Sequence, residues 1–392
     1  MRPLVTPTHL PADGGNADAA FRARGAAKID RLLAEIDALI DADDSADRRL
    51  TGAWKTFDDI NAVASDYAWD AYSVDLTVDA ASFLRLDRRD QQALLRVFGT
   101  IYRAEAVVDD WMDKIVAAIP TTGEGIEGPM GFRAMRTALM TQEHDEKMHR
   151  GSLTRIANEV LQIRPDEVDR IARSANNFVA ETLFARFDRQ MAGLLRPGRP
   201  IEDVFVAIFV YGIISEDVVA NSDVVIRRAR ENSKYDAFGL PGMKVGQTNV
   251  RRDEGRHVRI AVLATRKFLE EHKGARQRLL AVCREYLDLA DAMLRRAKAS
   301  HGLIDAHLSE SYGDEVDSLY YYVMNLKRLA VRLDELGLTD GVRDVKRRVA
   351  RAAAEFTDTA GRPLIDEPNR LLRTFGPTLL RFSRDGRSRV QT

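Results

Sequence analysis

Asp145-Glu146-Lys147-Met148-His149 and Arg252-Asp253-Glu254-Gly255-Arg256-His257 are the two stretches whose reading decides the fold. Each contains Glu-x-x-His, and each Glu follows an Asp. Residues three apart on an α-helix share a face, so one Glu and one His can grip the same ion. With 60 acidic residues and 7 histidines in 392 positions, chance supplies about one acid-x-x-His, so spacing alone is a weak signal. The doubled motif, Glu in both copies and the matching Asp are what lift it above chance.

The surrounding positions place both motifs on buried helix faces. Phe132, Met135, Leu139, Gln142, Glu146, His149, Leu153 and Ile156 follow alternating three–four spacing, the seam of a packed helix. The helix before it runs Leu94, Phe98, Ile101, Glu105, Val108, Met112, Ile115, with Glu105 as the one charge in the stripe. A buried carboxylate is expensive unless it is paired or coordinates a metal. Val204–Ile214 is a near-continuous apolar run followed by Glu216, and the next helix carries Glu254, His257, Ala261 and Ala264 on one stripe. The order Glu, Glu-x-x-His, Glu, Glu-x-x-His is the ligand set of a two-metal carboxylate site in a four-helix bundle. Oxygen-rich ligands with one imidazole per metal suit iron or manganese. Asp145 and Asp253 are candidates to hold the free N–H of a ligand histidine, Asp253 in particular.

The rest of the chain fits an all-α class. Helical windows fall at roughly 90–118, 130–162, 165–194, 200–228, 245–272, 275–300, 313–336 and 340–357, separated by Pro and Gly turns. Tyr72–Leu76 is the single weak strand candidate. Residues 1–25, rich in Pro, Gly, Asp and Ala, read as a mobile tail. Residues 26–300 read as the metal-binding bundle, and 301–392 as a C-terminal helical extension packed on it, with Tyr320, Tyr321 and Tyr322 in a row.

Composition narrows the function. Lys plus Arg number 59 against 60 acidic residues, a formal charge of −1, which gives neither nucleic acid nor an anionic membrane a field to follow. One cysteine, Cys283, excludes an intrachain disulfide and a Cys-based metal cluster, and reads as a small buried hydrophobe. The opening residues MRPLVTPTHLPADGG lack the apolar core of a secretory leader, and Val204–Ile214 is too short to span a bilayer, so the expected location is the cytoplasm.

Over roughly residues 80–290 these motifs resemble the ferritin-like superfamily, within it the ribonucleotide reductase small-subunit branch, and Arg252–His257 is similar to that branch's last metal-ligand helix. The resemblance implies a ferritin-like four-helix bundle with additional helices. It implies one metal on Glu105, Glu146 and His149 and a second on Glu216, Glu254 and His257, with Glu146 and Glu254 bridging. Small subunits that store a tyrosyl radical have a Tyr where this chain has Leu153, and the tail Arg384–Thr392 offers no Tyr to relay a radical. The ligand-binding oxidases of the same branch instead have a Val one turn after the first Glu and a Tyr five residues before the third, which become joined by an ether cross-link. Val108 and Tyr211 occupy those places. Closest resemblance therefore lies with that group. It implies two metal ions, Fe/Fe or Mn/Fe, with O2 as co-substrate, an external electron donor, a homodimer, and a small apolar, fatty-acid-like or secondary-metabolite substrate oxidised at a C–H bond. A Gly-rich insertion at Thr121–Gly131 and the region after residue 300 depart from the family pattern.

Competing readings remain for several residues. Glu105 could form a helix-face salt bridge with Arg103 or Lys114, Glu181 rivals Glu216, and Val108 and Tyr211 could be plain core. His9, His144, His272, His301 and His307 read as solvated or non-ligating, and the basic clusters Arg227–Arg230 and Lys346–Arg351 as solvated helix faces. The alternative activities are a di-iron N-oxygenase, for which one group has a His where this chain has Val250, a reductase small subunit lacking its radical Tyr, and an iron store.

Overall fold

Thr56 opens the first helix of the described structure with a reciprocal cap: its hydroxyl accepts from Asp59 N at 3.1 Å and its own N–H donates to Asp59 Oδ2 at 2.8 Å. The computed structural model describes residues 54–164, 166–167, 170, 185–220, 238–299 and 318–357. The proposed 1–25 tail, Glu181, the cluster Arg227–Arg230 and His9, His301 and His307 lie outside those residues, as does the proposed boundary at residue 300. Ten α-helices and no strand occur among them: α1 Phe57–Tyr67, α2 Thr77–Phe83, α3 Arg88–Ala118, α4 Phe132–Arg155, α5 Ala185–Gly193, α6 Ile201–Ile208, α7 Pro241–Glu271, α8 Ala275–Ala299, α9 Ser318–Glu335 and α10 Thr339–Thr357. Wider π-helical turns continue α4 over Ile156–Val160 and α6 over Phe209–Ala220.

The weak strand candidate Tyr72–Leu76 is not a strand. Ala71–Ser73 forms a single 3₁₀ turn, because the Asp70 side chain captures Tyr72 N at 2.8 Å and the Asp75 side chain captures Thr77 N at 2.9 Å. Such local side-chain bonds compete with a strand ladder. Arg155 completes the turn by donating to the carbonyls of Ala71 and Val74.

Four long elements close a ring: α3 packs on α4, α4 on α7, α7 on α6 with its π segment, and α6 back on α3. The start of α7 is fixed by Asp79 of α2, fully buried, which accepts from Gly242 N at 2.9 Å and Met243 N at 2.7 Å. This satisfies amides that a helix N-terminus leaves without partners. Position 242 must be glycine there, since a Cβ would sit 2.3 Å from the Asp75 carbonyl oxygen. Every residue of the run Val204–Ile214 for which burial is resolved as a side chain is buried, as its composition requires.

The core of the ring has two apolar clusters with a polar layer between them. On α3, Phe98 and Tyr102 belong to the smaller cluster and Val108 and Met112 to the larger. On α4, Leu139 lies in the larger and Leu153 in the smaller, and on α7 Met243 lies in the smaller and Val258 in the larger. Glu105, Glu146 with His149, and Glu254 fall between these positions on their helices.

The C-terminal helices are tied to the ring by charge. α9 packs on the π segment and α10 on α8. Asp217, almost wholly buried on the π segment, accepts from Arg328 and Arg332 of α9 at its carboxylate, and from Arg328 Nε at its backbone carbonyl, 2.8 Å away. Buried Asp291 of α8 likewise takes Tyr322, Arg348 and Arg351. The expectation of a solvated Lys346–Arg351 face is therefore corrected at Arg348 and Arg351, which neutralise a buried carboxylate.

Gly212 marks the closest approach of the π segment to α7: a Cβ there would lie 2.4 Å from the Cβ of Ala261. Gly212→Val is expected to force the two apart and lower stability by about 1–3 kcal/mol. Chemical denaturation followed by helix signal measures this, and a wild-type midpoint with an unchanged slope would contradict the close packing.

Candidate metal centre

All six residues of the doubled pattern come together in the polar layer. Glu105 is supplied by α3, Glu146 and His149 by α4, Glu216 by the π segment of α6, and Glu254 and His257 by α7. Three-residue spacing explains the two Glu-x-x-His pairs. The π winding explains Glu216 and Tyr211. Five residues apart on an α-helix they would diverge by roughly 140°, but a π-helix bonds residue i to i+5 and stacks them one turn apart. Accordingly, Tyr211 Oη donates to Glu146 Oε1 at 2.6 Å, while Glu216 Oε1 lies 3.7 Å from His257 Nδ1.

The ligand atoms form two groups, Glu105–His149–Glu254 and Glu146–Glu216–His257, the atoms within each lying within 4.8 Å of one another. This differs from the division implied by the resemblance, where Glu146 falls with Glu105 and Glu254 with Glu216. The two carboxylates expected to bridge are the two that change places, and both face both rings. Glu146 is 3.3 Å from His149 Nδ1 and 3.2 Å from His257 Nδ1; Glu254 is 3.8 and 3.9 Å from the same two atoms.

Behind the rings the two aspartates cross over. Asp253 Oδ2 lies 3.2 Å from His149 Nε2, and Asp145 Oδ2 lies 3.1 Å from His257 Nε2, so the Asp of each motif holds the histidine of the other. With Nε2 facing a carboxylate, each ring turns its Nδ1 toward the glutamates. Trp69 Nε1 also donates to Asp253 Oδ2 at 2.6 Å, and its ring stacks against His149 with centroids 6.3 Å apart. Arg256, fully buried, donates to Asp145 and approaches Asp253 Oδ1 to 3.5 Å. Gln142 Nε2 lies 3.3 Å from both oxygens of Glu216. Trp69, Arg256 and Gln142 were not singled out as site residues by the sequence. Gln142 had a signal, being the polar member of an apolar seam; Trp69 had none, lying 184 residues from its partner.

Burial dominates the electrostatics. It pushes Glu105 and Glu254 up, Glu254 well above the usual carboxylate range with the neighbouring Glu216 charge adding to it. Glu216 is pushed up to about 7 by burial, against the pull of His257. Burial also opposes the charge on Glu146, but the closeness of His149 and His257 outweighs it and holds that carboxyl well below the usual range. Both imidazoles are raised well above theirs, because the carboxylates around them outweigh burial. Burial, with the charges of Glu146 and Glu216, keeps the Tyr211 phenol neutral far into alkaline pH.

The residues fit a pair of metal ions on an observation independent of any relative. His149 Nδ1, His257 Nδ1 and Glu254 Oε2 are buried and have no hydrogen-bond partner, although all face the same space. Buried polar atoms without partners are costly and rare. Four carboxylates and two such imidazole nitrogens are the donor set that divalent iron or manganese takes.

Other sequence expectations fall as follows. Val108 is buried in the larger apolar cluster. His144 is exposed, and Lys114 pairs with Asp110 rather than with Glu105. Cys283 is buried, and burial pushes its thiol up to about 12. His272 is not solvated as expected: it packs against Phe205 and Phe268, with centroids 5.5 and 5.4 Å away, and lies 3.5 Å from Glu202.

No protein-family model matches the sequence, and no curated protein matches it. Solved structures do match. An R2-like ligand-binding oxidase with aerobically reconstituted metal cofactor after photoconversion shares a TM-score of 0.56 at 18% identity, covering 73% of this chain and 94% of that one. Two variants of an R2-like ligand-binding oxidase with reconstituted Mn/Fe cofactor give 0.57 and 0.58 at 18% identity, each covering 75% of this chain and 98% of the other. At that identity the likeness shows the fold alone, an all-α, ferritin-like helical bundle. No helix among the described residues is long and apolar enough to cross a membrane.

The charge pattern fixes a sign for pH. Glu105, Glu216 and Glu254 keep protons in the metal-free fold where the unfolded chain has released them, and His149 and His257 keep theirs above the usual imidazole range. The folded state then binds more protons than the unfolded, so its stability falls as pH rises. Glu146 acts oppositely, but only below the usual carboxylate range. Thermal melts in chelator are expected to show a falling Tm from about pH 5 to about pH 8, and added Mn(II) to stabilise most at the upper end. A chelated Tm that stays level or rises over that span would contradict the proton count.

Proposed function

We propose that this chain is an O2-dependent dimetal oxidase or oxygenase that acts on a C–H bond of an apolar, fatty-acid-like or secondary-metabolite substrate, drawing electrons from an external donor. The observation that carries the reading is the pair of partnerless Nδ1 atoms converging on four glutamates, three of them buried and Glu105 half-buried. The fold shared with metal-loaded R2-like ligand-binding oxidases supports it. Glu105, His149 and Glu254 would hold one ion and Glu146, Glu216 and His257 the other, with Glu146 and Glu254 shared. When bound, an Fe/Fe or Mn/Fe pair supplies the one-electron and O2 chemistry that no amino-acid side chain provides.

The chain's own residues set the conditions. The two apolar clusters above and below the polar layer keep bulk water from the centre. Asp145 and Asp253 hold the ring protons at Nε2 and leave Nδ1 free. Gln142 steadies Glu216, and Tyr211 offers its phenol proton to Glu146. Tyr211 and Val108 are assigned the cross-linking pair of this reading: both are buried in the larger cluster, and Tyr211 already touches a proposed ligand. A homodimer in the cytoplasm belongs to the same proposal. An amine-oxidising variant of the chemistry gains nothing from the structure, since the place of its extra histidine is held by half-buried Val250. Nor does a radical-storing role, since Leu153 lies buried in the smaller apolar cluster.

Metal analysis of purified protein tests the centre. The wild type is expected to hold two ions per chain, and Glu146→Ala or His257→Ala to lose them while keeping most helix content; two ions retained in both variants would sink the assignment. After aerobic loading with manganese and iron, a tryptic mass map is expected to show the Val108 and Tyr211 peptides joined, and separate in Tyr211→Phe. Both peptides wholly free in the loaded wild type would reject the cross-link.

A further inference from the structure

The two motifs are near-copies with one chemical difference at the buried face: Asp-Glu-Lys-Met-His against Asp-Glu-Gly-Arg-His. Arg256 thus occupies the place that half-buried Met148 holds in the first copy. Among the described residues it is the single fully buried arginine. Taking a guanidinium out of water is costly unless carboxylates meet it. Here it meets two that belong to different helices: Asp145 of α4, which it bonds, and Asp253 of α7, at 3.5 Å. Those are the two aspartates that back the histidine rings.

A charge inventory shows why one arginine is needed. Two divalent ions would offset the four glutamates. Asp145 and Asp253 are left over, close to one another across α4 and α7, and like charges at close range in a buried layer repel strongly. Arg256 is the cation lying between them. The support is uneven, however. Asp253 also accepts from Trp69, whereas Asp145 leans on Arg256 and on His257, the ring it backs.

We propose that Arg256 is a positioning residue of the centre: its Nη2 bonds Asp145 of α4 while lying 3.5 Å from Asp253 of α7, and by holding Asp145 in place it aims the His257 Nδ1 at the glutamates. The inference rests on the two-metal reading for its purpose, though not for its geometry. Because Arg256 bonds Asp145 and only approaches Asp253, the effect of losing it falls mainly on His257 and its group with Glu146 and Glu216. Lysine keeps the charge but not the planar, preorganised geometry that brings Nη2 onto Asp145.

Two measurements on the full chain test this. Ring-nitrogen NMR of the metal-free protein reports the hydrogen-bonded Nε2–H of each histidine, and Mn(II) titration followed by EPR of the free ion reports affinity. Arg256→Met is expected to shift the His257 ring signals more than those of His149, and to weaken Mn(II) binding by about 10- to 100-fold. Arg256→Lys should give the same displacement in smaller degree with helix content retained, and it decides the matter should Arg256→Met not fold. Asp145→Asn added to either variant should cost little more, because the acceptor that Arg256 held is already misplaced. Unchanged His257 signals in Arg256→Lys, or losses that simply add in the double variant, would overturn the proposal. A wild type that binds no Mn(II) would defeat the proposed function instead, while the ring signals of the metal-free chain still decide the role of Arg256.

Discussion

Six carboxylates share one layer of this bundle: Glu146, Glu216, Glu254, Asp145 and Asp253, all buried, and half-buried Glu105. Carboxylates in a low-dielectric interior cost several kcal/mol each unless met by protons, cations or hydrogen bonds, and mutual repulsion adds to the cost. Most other features of the ring answer that constraint. Two imidazoles face the four glutamates, the Arg256 guanidinium bonds Asp145 and lies 3.5 Å from Asp253, and Trp69 and Gln142 add donors to Asp253 and Glu216. In the metal-free fold protons supply the remaining balance, which is why burial drives Glu216 and Glu254 up. A pair of divalent ions would satisfy the same need without protons and would engage the two Nδ1 atoms that the protein leaves open. The apolar clusters on either side make the layer expensive, and for the same reason they make it a strong site for cations.

How much of this could be read from residues alone follows from the range of each interaction. The Glu-x-x-His pairs are local, three residues apart on regular helices, and the apolar seams around them show which way they point. The helices themselves were legible where the period was strong, as in α3, α4 and α7. Short α1 and α2 were not, since seven to eleven residues make too few turns to display a periodic stripe. The π winding of Phe209–Ala220 was also hidden. A run that is apolar on every side has no period to reveal how tightly it turns, and only Tyr211 and Glu216, five apart and on one side, disclose it afterwards. Crossed pairing was beyond reach for another reason: spacing suggests that an Asp serves its own motif, while His149–Asp253 and His257–Asp145 are contacts over 104 and 112 residues. Arg256, set in the polar run Arg251-Arg252-Asp253-Glu254-Gly255-Arg256, has the composition of a solvent face and the burial of a core residue.

The helices after residue 317 extend the same logic outward. Asp217 follows Glu216 in the chain, so a seventh carboxylate is forced to the edge of the buried layer by sequence adjacency alone. It is not left to repel its neighbour. Arg328 and Arg332 reach it from α9, and Arg332 also bonds Glu335, which in turn lies 3.6 Å from Arg259 of α7. A chain of alternating charge thus runs from the π segment through α9 to the helix that carries Glu254 and His257. Arg328 bonds the backbone carbonyl of Asp217 as well as its side chain, which pins the π segment itself rather than a flexible carboxylate. The glutamate of that segment has no sequence-adjacent histidine to orient it, unlike Glu146 and Glu254. Its position depends on the winding of the backbone, on Gln142 from α4 and on this external clamp. The C-terminal helices therefore hold one of the two corners of the centre, Glu216's, that the Glu-x-x-His repeat leaves unsupported.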